Sequence, residues 1–204
     1  MSLTSRHANL RQEIAIEAAR FLAEDGRLDY YTAKQKAMKR LGVSGQTDLP
    51  TNQEIESQLK IHQSMFFAST QPGLIKKMRQ NAFSAMRMLE AFRPHLVGTV
   101  LEGTATSTSP IEIHVFSDSA KDILFLLMEK QIPYETLELK FRLNKNETEM
   151  IPSVSFFAGD YEIRISIFDH KSIHQKPISP ITGLPMRRAS LTKVKKLMAQ
   201  ENAD

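Results

Sequence analysis

The sequence has no cysteine among its 204 residues. This excludes disulfide bonds, thiolate metal sites and cysteine nucleophiles, and it is typical of a protein in a reducing compartment. Long apolar runs are also missing, since the longest one, 123–128, is far too short to cross a bilayer. The N-terminal residues contain no apolar segment of the kind that a secretory signal needs. We therefore expect a cytoplasmic protein without membrane contact.

Several enzyme signatures are missing as well. The sequence contains no Walker loop, no Rossmann glycine fingerprint and no Ser/His/Asp motif. What it does have is an ordinary globular composition, with 41% hydrophobic and 25% charged residues, which is enough to bury a core. The net charge of +4 is mildly basic, so it permits a phosphate-bearing partner without requiring one.

The first part of the chain has the periodicity of helices. Apolar residues follow helical spacing in four segments, which are separated by glycines and by polar loops. Thr51 followed by Glu54 is a capping box that predicts the start of the third helix. Pro94 ends the fourth. We predict a helical N-terminal region over residues 1–70, after which the fourth helix opens the next region.

Beyond Pro94 the pattern changes to alternation of apolar and polar residues, which is typical of strands. A Gly-Asp pair at 159–160 indicates a hairpin. The predicted strands are 96–101, 111–116, 134–141, 154–157 and 162–168, with a helix capped by Asp118 or Ser119 and another at 191–198. The sequence thus predicts an α+β protein whose helical region is followed by a small mixed β-sheet with flanking helices. We place this α/β domain at 71–176 and a proline-rich segment with a C-terminal helix at 177–204.

The residues with the most specific chemistry lie around the first two strands, in the segment LVGTVLEGTATSTSPIEIHVF. Gly98-Thr99 follows the first strand, and Gly103 lies in the next turn. Glycine beside a hydroxyl residue at such a place can expose backbone N–H groups to a phosphate. The alternative is that both glycines serve ordinary turns.

Glu112 and His114 are two residues apart on the second strand, so their side chains point the same way and can reach one metal ion. Glu162, on a later strand, can supply a third ligand. Such an array would hold Mg²⁺ or Mn²⁺ against a triphosphate and polarise it for attack. The alternative is a set of solvated residues on the open face of an antiparallel sheet.

This segment resembles the DNA polymerase beta-type nucleotidyltransferase superfamily. That superfamily has Gly-Ser after its first strand, then an acid-x-acid strand and a third acid on a later strand. Gly98-Thr99 corresponds to Gly-Ser, and VGTVLEGTA is similar to its common form; the resemblance covers residues 76–170. The whole chain is also similar to a group of small bacterial proteins of this superfamily, which share its helical start and its SPITGLPMRRASL-like end.

The sequence departs from the superfamily pattern at the acids. Glu112 stands where an aspartate is usual, and His114 replaces the second acid, so the acid-x-acid motif is degenerate. Histidine is a poor ligand for Mg²⁺, which prefers oxygen, and it would favour Mn²⁺ or Zn²⁺. Arg164 shares a strand face with Glu162, where it would compete with a metal ion but can bind phosphate directly.

Basic residues form two further clusters. The fourth helix carries Lys76, Lys77, Arg79 and Arg87, and a second run lies at 187–196. Either cluster can grip a nucleic-acid backbone, or it can be a solvated helix face. Aromatic residues do not alternate with the basic ones, as they would in a base-stacking surface.

Two functional hypotheses follow from the resemblance. The first is a nucleotidyltransferase-like protein that binds a nucleotide or another phosphorylated ligand. If active, it would use Glu112, His114 and Glu162 as metal ligands and Gly98, Thr99, Gly103 and Arg164 for phosphate, and would transfer a nucleotidyl group to an acceptor hydroxyl. The second is a catalytically inactive module of this fold for binding or regulation, with RNA as one partner.

Overall fold

The computed structural model describes residues 3–43, 48–144 and 146–201. The chain folds as two compact units. The first contains residues 1–72 and 180–182, and the second contains 73–179 and 183–204. The boundary lies close to the one placed after residue 70. Most of the segment 177–204, predicted to be separate, belongs to the second unit.

The first unit is built from three helices, α1 (Leu3–Glu24), α2 (Tyr30–Arg40) and α3 (Asn52–Phe66). The predicted capping box is confirmed, because Thr51 Oγ1 accepts from Glu54 N at 3.2 Å and Glu54 Oε2 accepts from Thr51 N at 2.6 Å. The core of this unit consists of side chains that lie one helical turn apart, with small alanines where the helices approach: Ile14, Ala15, Ala18, Ala19, Leu22, Ala33, Ala37, Ile55 and Leu59.

The second unit combines helices with one sheet, so the predicted α+β class is confirmed. Its helices are α4 (Gln71–Met88), α5 (Gly98–Glu102), α6 (Ala120–Glu129) and α7 (Leu191–Gln200), with 3-10 turns at Glu90–Phe92 and His170–Ile173. Its strands are β1 (His95–Val97), β2 (Ile111–Phe116), β3 (Glu135–Arg142), β4 (Thr148–Ala158), β5 (Tyr161–Phe168) and β6 (Ala189–Ser190). No helix in the described part of the chain is long and apolar enough to cross a membrane.

The six strands form one mixed sheet in the order β3-β4-β5-β2-β1-β6. Strands β2 and β5 run parallel, and the other neighbours are antiparallel. The hairpin predicted at Gly159-Asp160 joins β4 to β5. Because β2 and β5 are neighbours, residues 112 and 162 lie on adjacent strands although they are far apart in sequence.

The two faces of the sheet differ in chemistry because side chains alternate along each strand. One face is apolar, with Ile113, Ile165 and Val154 in register, and it packs against α4, α6 and α7 in the main core. The other face carries the polar residues of β2 and β5. One end of that face has a smaller cluster of Phe116, Ile151 and Phe168.

Two predicted strands are wrong in their lengths. The strand expected at 154–157 is longer, since β4 runs from Thr148 to Ala158. The strand expected at 96–101 ends at Val97, and a short helix begins at Gly98. Gly98 turns the chain with a φ of +68°, a conformation that side chains other than glycine rarely adopt. The apolar residues after it, Val100 and Leu101, are buried on the helix rather than on a strand.

The predicted basic face of α4 is also wrong at one position, Arg79. Its side chain is buried, forms an ion pair with Glu201, and donates to the carbonyls of Val100 at 3.1 Å and Leu101 at 2.9 Å. It therefore holds the end of α5 and is not a surface cation. Lys77 and Arg87 are exposed, as a basic face requires.

Candidate functional site

We call the sheet face that carries the polar residues of β2 and β5 the polar face. Its open end begins at Gly98, where β1 ends and α5 begins. A Cβ at this position would overlap the Oε2 atom of Glu112. The pairing of β1 with β2 explains this closeness, because Val97 and Glu112 are directly opposite. The Glu112 carboxylate thus lies against the bare backbone of Gly98, and a side chain at residue 98 would displace it.

Arg164 and Glu162 lie beside Glu112 on the neighbouring strand. Arg164 is the register partner of Glu112, and Glu162 is two residues earlier on the same face of β5. Arg164 donates to Glu162 Oε1 from Nε at 3.1 Å and from Nη2 at 2.8 Å. We call Glu112, Arg164 and Glu162 the charged triad. One guanidinium group lies with two carboxylates, and all three are partly shielded from solvent.

Burial in the sheet raises the pKa of Glu112. The Arg164 cation opposes this rise because it favours the charged carboxylate, whereas the nearby Glu162 carboxylate adds to it. Glu112 therefore holds its proton to a higher pH than an exposed glutamate would. A carboxyl group of this kind is a common element of binding and catalytic sites.

His114 lies on the same face as Glu112 but belongs to a different group of contacts. It is 1% exposed and packs against the rings of Phe141 and Phe168, with centroid distances of 5.4 and 4.7 Å. Its Nδ1 atom accepts a hydrogen bond from Arg188 Nε at 3.2 Å. Burial, followed by the charge of Arg188, lowers the pKa of His114 well below its usual value, so the ring stays neutral.

Arg188 reaches His114 from the segment before β6. Its Nη1 atom donates to the carbonyls of Ser172 and Ile173, both at 3.1 Å, and its guanidinium lies 4.9 and 5.2 Å from the ring centroids of Phe116 and Phe168. Burial lowers the pKa of Arg188 to about 10. This arrangement fixes His114 and closes the inner end of the polar face.

The other predicted site residues are divided between the two ends of α5. Thr99 is half-buried and follows Gly98 in the first turn of α5. Gly103 lies at the opposite end of the helix, where its φ of +83° ends α5 close to Arg79. The structure thus brings Gly98, Glu112, Glu162 and Arg164 together, with Thr99 next to Gly98 in the chain. Gly103 and His114 have other contacts.

The predicted metal ligands do not form a set that suits Mg²⁺ or Mn²⁺. Within the described ranges, no group of three or more histidine or acidic side chains is arranged to hold a metal ion. Glu162 is hydrogen-bonded to Arg164, and the Nδ1 atom of His114 is used by Arg188. A hard cation that needs oxygen ligands would meet two guanidinium groups here.

Phe157 is a further residue at the open end, and the sequence pattern alone did not single it out. It is the register partner of Glu162 on β4, so both side chains lie on the polar face. Phe157 is 72% exposed, which is unusual for a large aromatic residue in a sheet. The alternation of β4 was the available signal, because it places residue 157 on the face opposite Val154.

A groove of about 400 Å³ lies on the other face of the sheet. Its lining combines residues of α6 with residues of β3, β4 and β5: Ala120, Leu124, Thr136, Leu137, Glu138, Pro152, Ser153, Val154 and Ile167. Glu138 is its only ionisable residue, and the charged triad does not line it. The groove therefore does not coincide with the candidate site, which is an open surface rather than a cavity.

The comparisons with known proteins identify no relative: no family model, no curated protein and no solved structure matches the chain. The class of the protein is accordingly defined by its own fold and site. It is an α+β protein with a mixed six-stranded sheet. A charged triad on two parallel strands faces a glycine turn at one end of that sheet.

Proposed function

We propose that the chain is a nucleotidyltransferase-like protein that binds a nucleotide or another phosphorylated small molecule at the open end of its polar face. The observation that supports this most directly is the convergence of three chain segments. Pairing of β2 with β5 aligns Glu112 with Arg164 and brings Glu162 near, while pairing of β1 with β2 brings Gly98 against Glu112. The same order of glycine turn and acidic strands led to the resemblance described above.

The chemistry of this surface suits a phosphate group. Arg164 uses Nε and Nη2 to bind Glu162, so Nη1, which takes no part in those hydrogen bonds, can donate to a phosphate oxygen. Gly98 lacks a side chain, which allows a ligand to approach the backbone closely. Thr99 follows with a hydroxyl group. The exposed ring of Phe157 offers a surface on which a nucleobase can stack.

The proposed activity is binding without metal-dependent transfer. A transferase of the resembled superfamily needs oxygen ligands for its metal, and two of the three expected ligands, His114 and Glu162, are held by arginines. A module that binds its ligand through Arg164 has no such requirement. We further propose that it works in the cytoplasm, since a chain without cysteine suits a reducing compartment.

Calorimetric titration with ATP, CTP, GTP and UTP tests this function, each with Mg²⁺, with Mn²⁺ and with EDTA. We expect binding in EDTA that weakens at least about tenfold in Arg164→Ala, equivalent to about 1.4 kcal/mol. Arg142→Ala, which removes an exposed arginine from β3, is the matched control and should bind as the native chain does. Absence of binding in every condition would refute the proposal.

The Glu112→Gln variant separates binding from transfer. If Arg164 holds the phosphate directly, removing a neighbouring negative charge should leave the affinity unchanged or increase it. If a metal held by Glu112 is required, the same variant should lose binding. Release of pyrophosphate by the native chain, lost in Glu112→Gln, would establish the transferase activity instead.

Phe157→Ala tests which part of the ligand is recognised. We expect weaker binding of the nucleotide that binds best and unchanged binding of inorganic pyrophosphate, because only the nucleotide has a base to stack. Equal losses for both ligands would contradict a stacking role. Binding of RNA whose affinity falls steeply with salt would support the regulatory alternative, in which the exposed basic residues contact the backbone.

A further inference from the structure

We propose that Arg164 is a built-in counter-ion for Glu112 and Glu162, so that this carboxylate pair holds a guanidinium group in place of a divalent metal ion. The inference goes beyond ligand binding, because it concerns only charges that the chain itself supplies. It would stand even if no nucleotide bound. It states which cation the two carboxylates of the charged triad hold.

The geometry supports this role through two different strands. Arg164 is fixed opposite Glu112 by the parallel register of β2 and β5, and it is tied to Glu162 by two hydrogen bonds of 3.1 and 2.8 Å. Charge-assisted hydrogen bonds of this kind are stronger than neutral ones. Arg164 thus lies on the same sheet face as both glutamates, in register with Glu112 and hydrogen-bonded to Glu162.

A divalent ion would have to displace this arrangement. It would compete with both hydrogen bonds to Glu162 Oε1, and it would be repelled by the positive charge of the guanidinium group. Removing the Arg164 side chain leaves two carboxylates on adjacent strands. One or two carboxylates with water are a usual protein contribution to a Mg²⁺ or Mn²⁺ site.

A second arginine, Arg188, occupies the inner end of the polar face. Arg188 Nε already donates to His114 Nδ1. An aspartate at residue 114, which would restore the acid-x-acid motif, would therefore face a guanidinium group before it faced a metal. We expect His114→Asp alone to create no metal site. A gain of metal binding in this variant would show that the number of acidic side chains, and not Arg164, decides whether a metal ion binds.

Titration of the full chain with Mn²⁺ alone tests the proposal, with free Mn²⁺ followed by electron paramagnetic resonance. We expect the native chain to show no stoichiometric site and Arg164→Ala to bind one Mn²⁺ at least about tenfold more tightly. The double variant Arg164→Ala/Glu112→Gln should return to the native level. Arg20→Ala, which removes an arginine from the Glu24 carboxylate on α1, is the matched control and should gain nothing.

Three results would overturn the proposal. The first is stoichiometric Mn²⁺ binding by the native chain that Glu112→Gln abolishes. The second is an Arg164→Ala variant that keeps its circular dichroism and thermal transition but gains no site. If Arg164→Ala does not fold, Arg164→Gln takes its place. The third result is then an Arg164→Gln variant that folds but gains no metal site.

Discussion

Glu112 lies between a glycine backbone and an arginine, and its environment raises the pKa of its carboxyl group. Because the folded protein then binds this proton more tightly than the unfolded chain does, the free energy of unfolding falls as the pH rises from the ordinary pKa of 4.5 to the higher folded value. Above that window the folded protein bears the full cost of a buried charge.

Glu112→Gln should therefore stabilise the protein at pH 8. We expect a gain of about 1 kcal/mol in the free energy of unfolding, the usual size of a single stabilising substitution. Urea unfolding at pH 8 and pH 4 measures it, and the gain should shrink at the lower pH. Glu13→Gln, which changes an exposed glutamate on α1, is the matched control. A destabilised Gln variant at pH 8 would contradict the expectation.

Gly98 is constrained both by its backbone angle and by its neighbour. We expect Gly98→Ala to cost more than about 2 kcal/mol, because the left-handed conformation penalises a Cβ and the Cβ also overlaps Glu112. In Gly98→Ala/Glu112→Ala the overlap is gone, and about 1 kcal/mol should remain.

Thermal unfolding of the single and double variants separates the two contributions at Gly98. Gly159→Ala is the control, since residue 159 has a φ of +61° and open space around it. It should show the backbone cost alone. Equal losses at residues 98 and 159 would show that the contact with Glu112 contributes nothing.

Arg188 stabilises its end of the sheet through planar geometry. Arg188→Ala should cost about 3 kcal/mol, because it leaves two carbonyls without their donor and removes the group that packs on Phe116 and Phe168. Arg188→Lys should recover little, since an ammonium group cannot reproduce the forked contacts. Urea unfolding measures both, and Arg187→Ala, which breaks an exposed pair with Glu102, should cost less than about 1 kcal/mol.

Among the elements, helix α3 offers the cleanest test of a sequence rule. Thr51→Ala should cost about 1 kcal/mol, since it removes the acceptor for the Glu54 N–H group. Loss of hydrogen-exchange protection in the first turn of α3 is the local measurement. Ser57→Ala, inside the same helix, should be nearly neutral because its hydroxyl group bonds only to the Gln53 carbonyl.

The strands show how far sequence patterns reach. Alternation located β2 and β5, and the Gly-Asp pair located the hairpin that joins β4 to β5, because these are local properties of the sequence. The extent of β1 was wrong, since an apolar run of that length suits a buried helical turn as well as a strand. Periodicity also says nothing about which strands pair, so the proximity of Glu112 to Glu162 rested on the resemblance alone.

The site was predicted only in part, because sequence patterns report local properties of the chain. Residue type identified Glu112, Glu162 and Arg164, and their shared face followed from the two-residue spacing along each strand. The partner of His114 was not predictable, because Arg188 reaches it from a segment 74 residues away in sequence. A contact of that kind depends on the tertiary path of the chain, which leaves no local pattern.

For the molecule as a whole, the C-terminal segment is part of the second unit rather than an appendage. Ala189 and Val194 are fully buried in its core, and Glu201 pairs with the buried Arg79. Deletion of residues 189–204 should therefore destabilise the second unit by more than about 3 kcal/mol, the usual cost of leaving a buried charge without its partner.

Hydrogen exchange of the β1 and β2 amides measures the effect of this deletion. Deletion of residues 202–204 alone is the control, since it keeps Glu201 in place. Exchange that remains slow after the longer deletion would show that the sheet does not depend on β6 and α7.

The register of β2 and β5 also gives a rule for sorting related sequences. An arginine at the position of Arg164 supplies a fixed cation, whereas a second acid at the position of His114 helps to bind a mobile one. The two side chains therefore have opposite effects on metal binding. The two should therefore be anticorrelated across an alignment. A lineage that passes from one state to the other would have to change both positions, and the order of those changes would show which kind of cation its ancestor used.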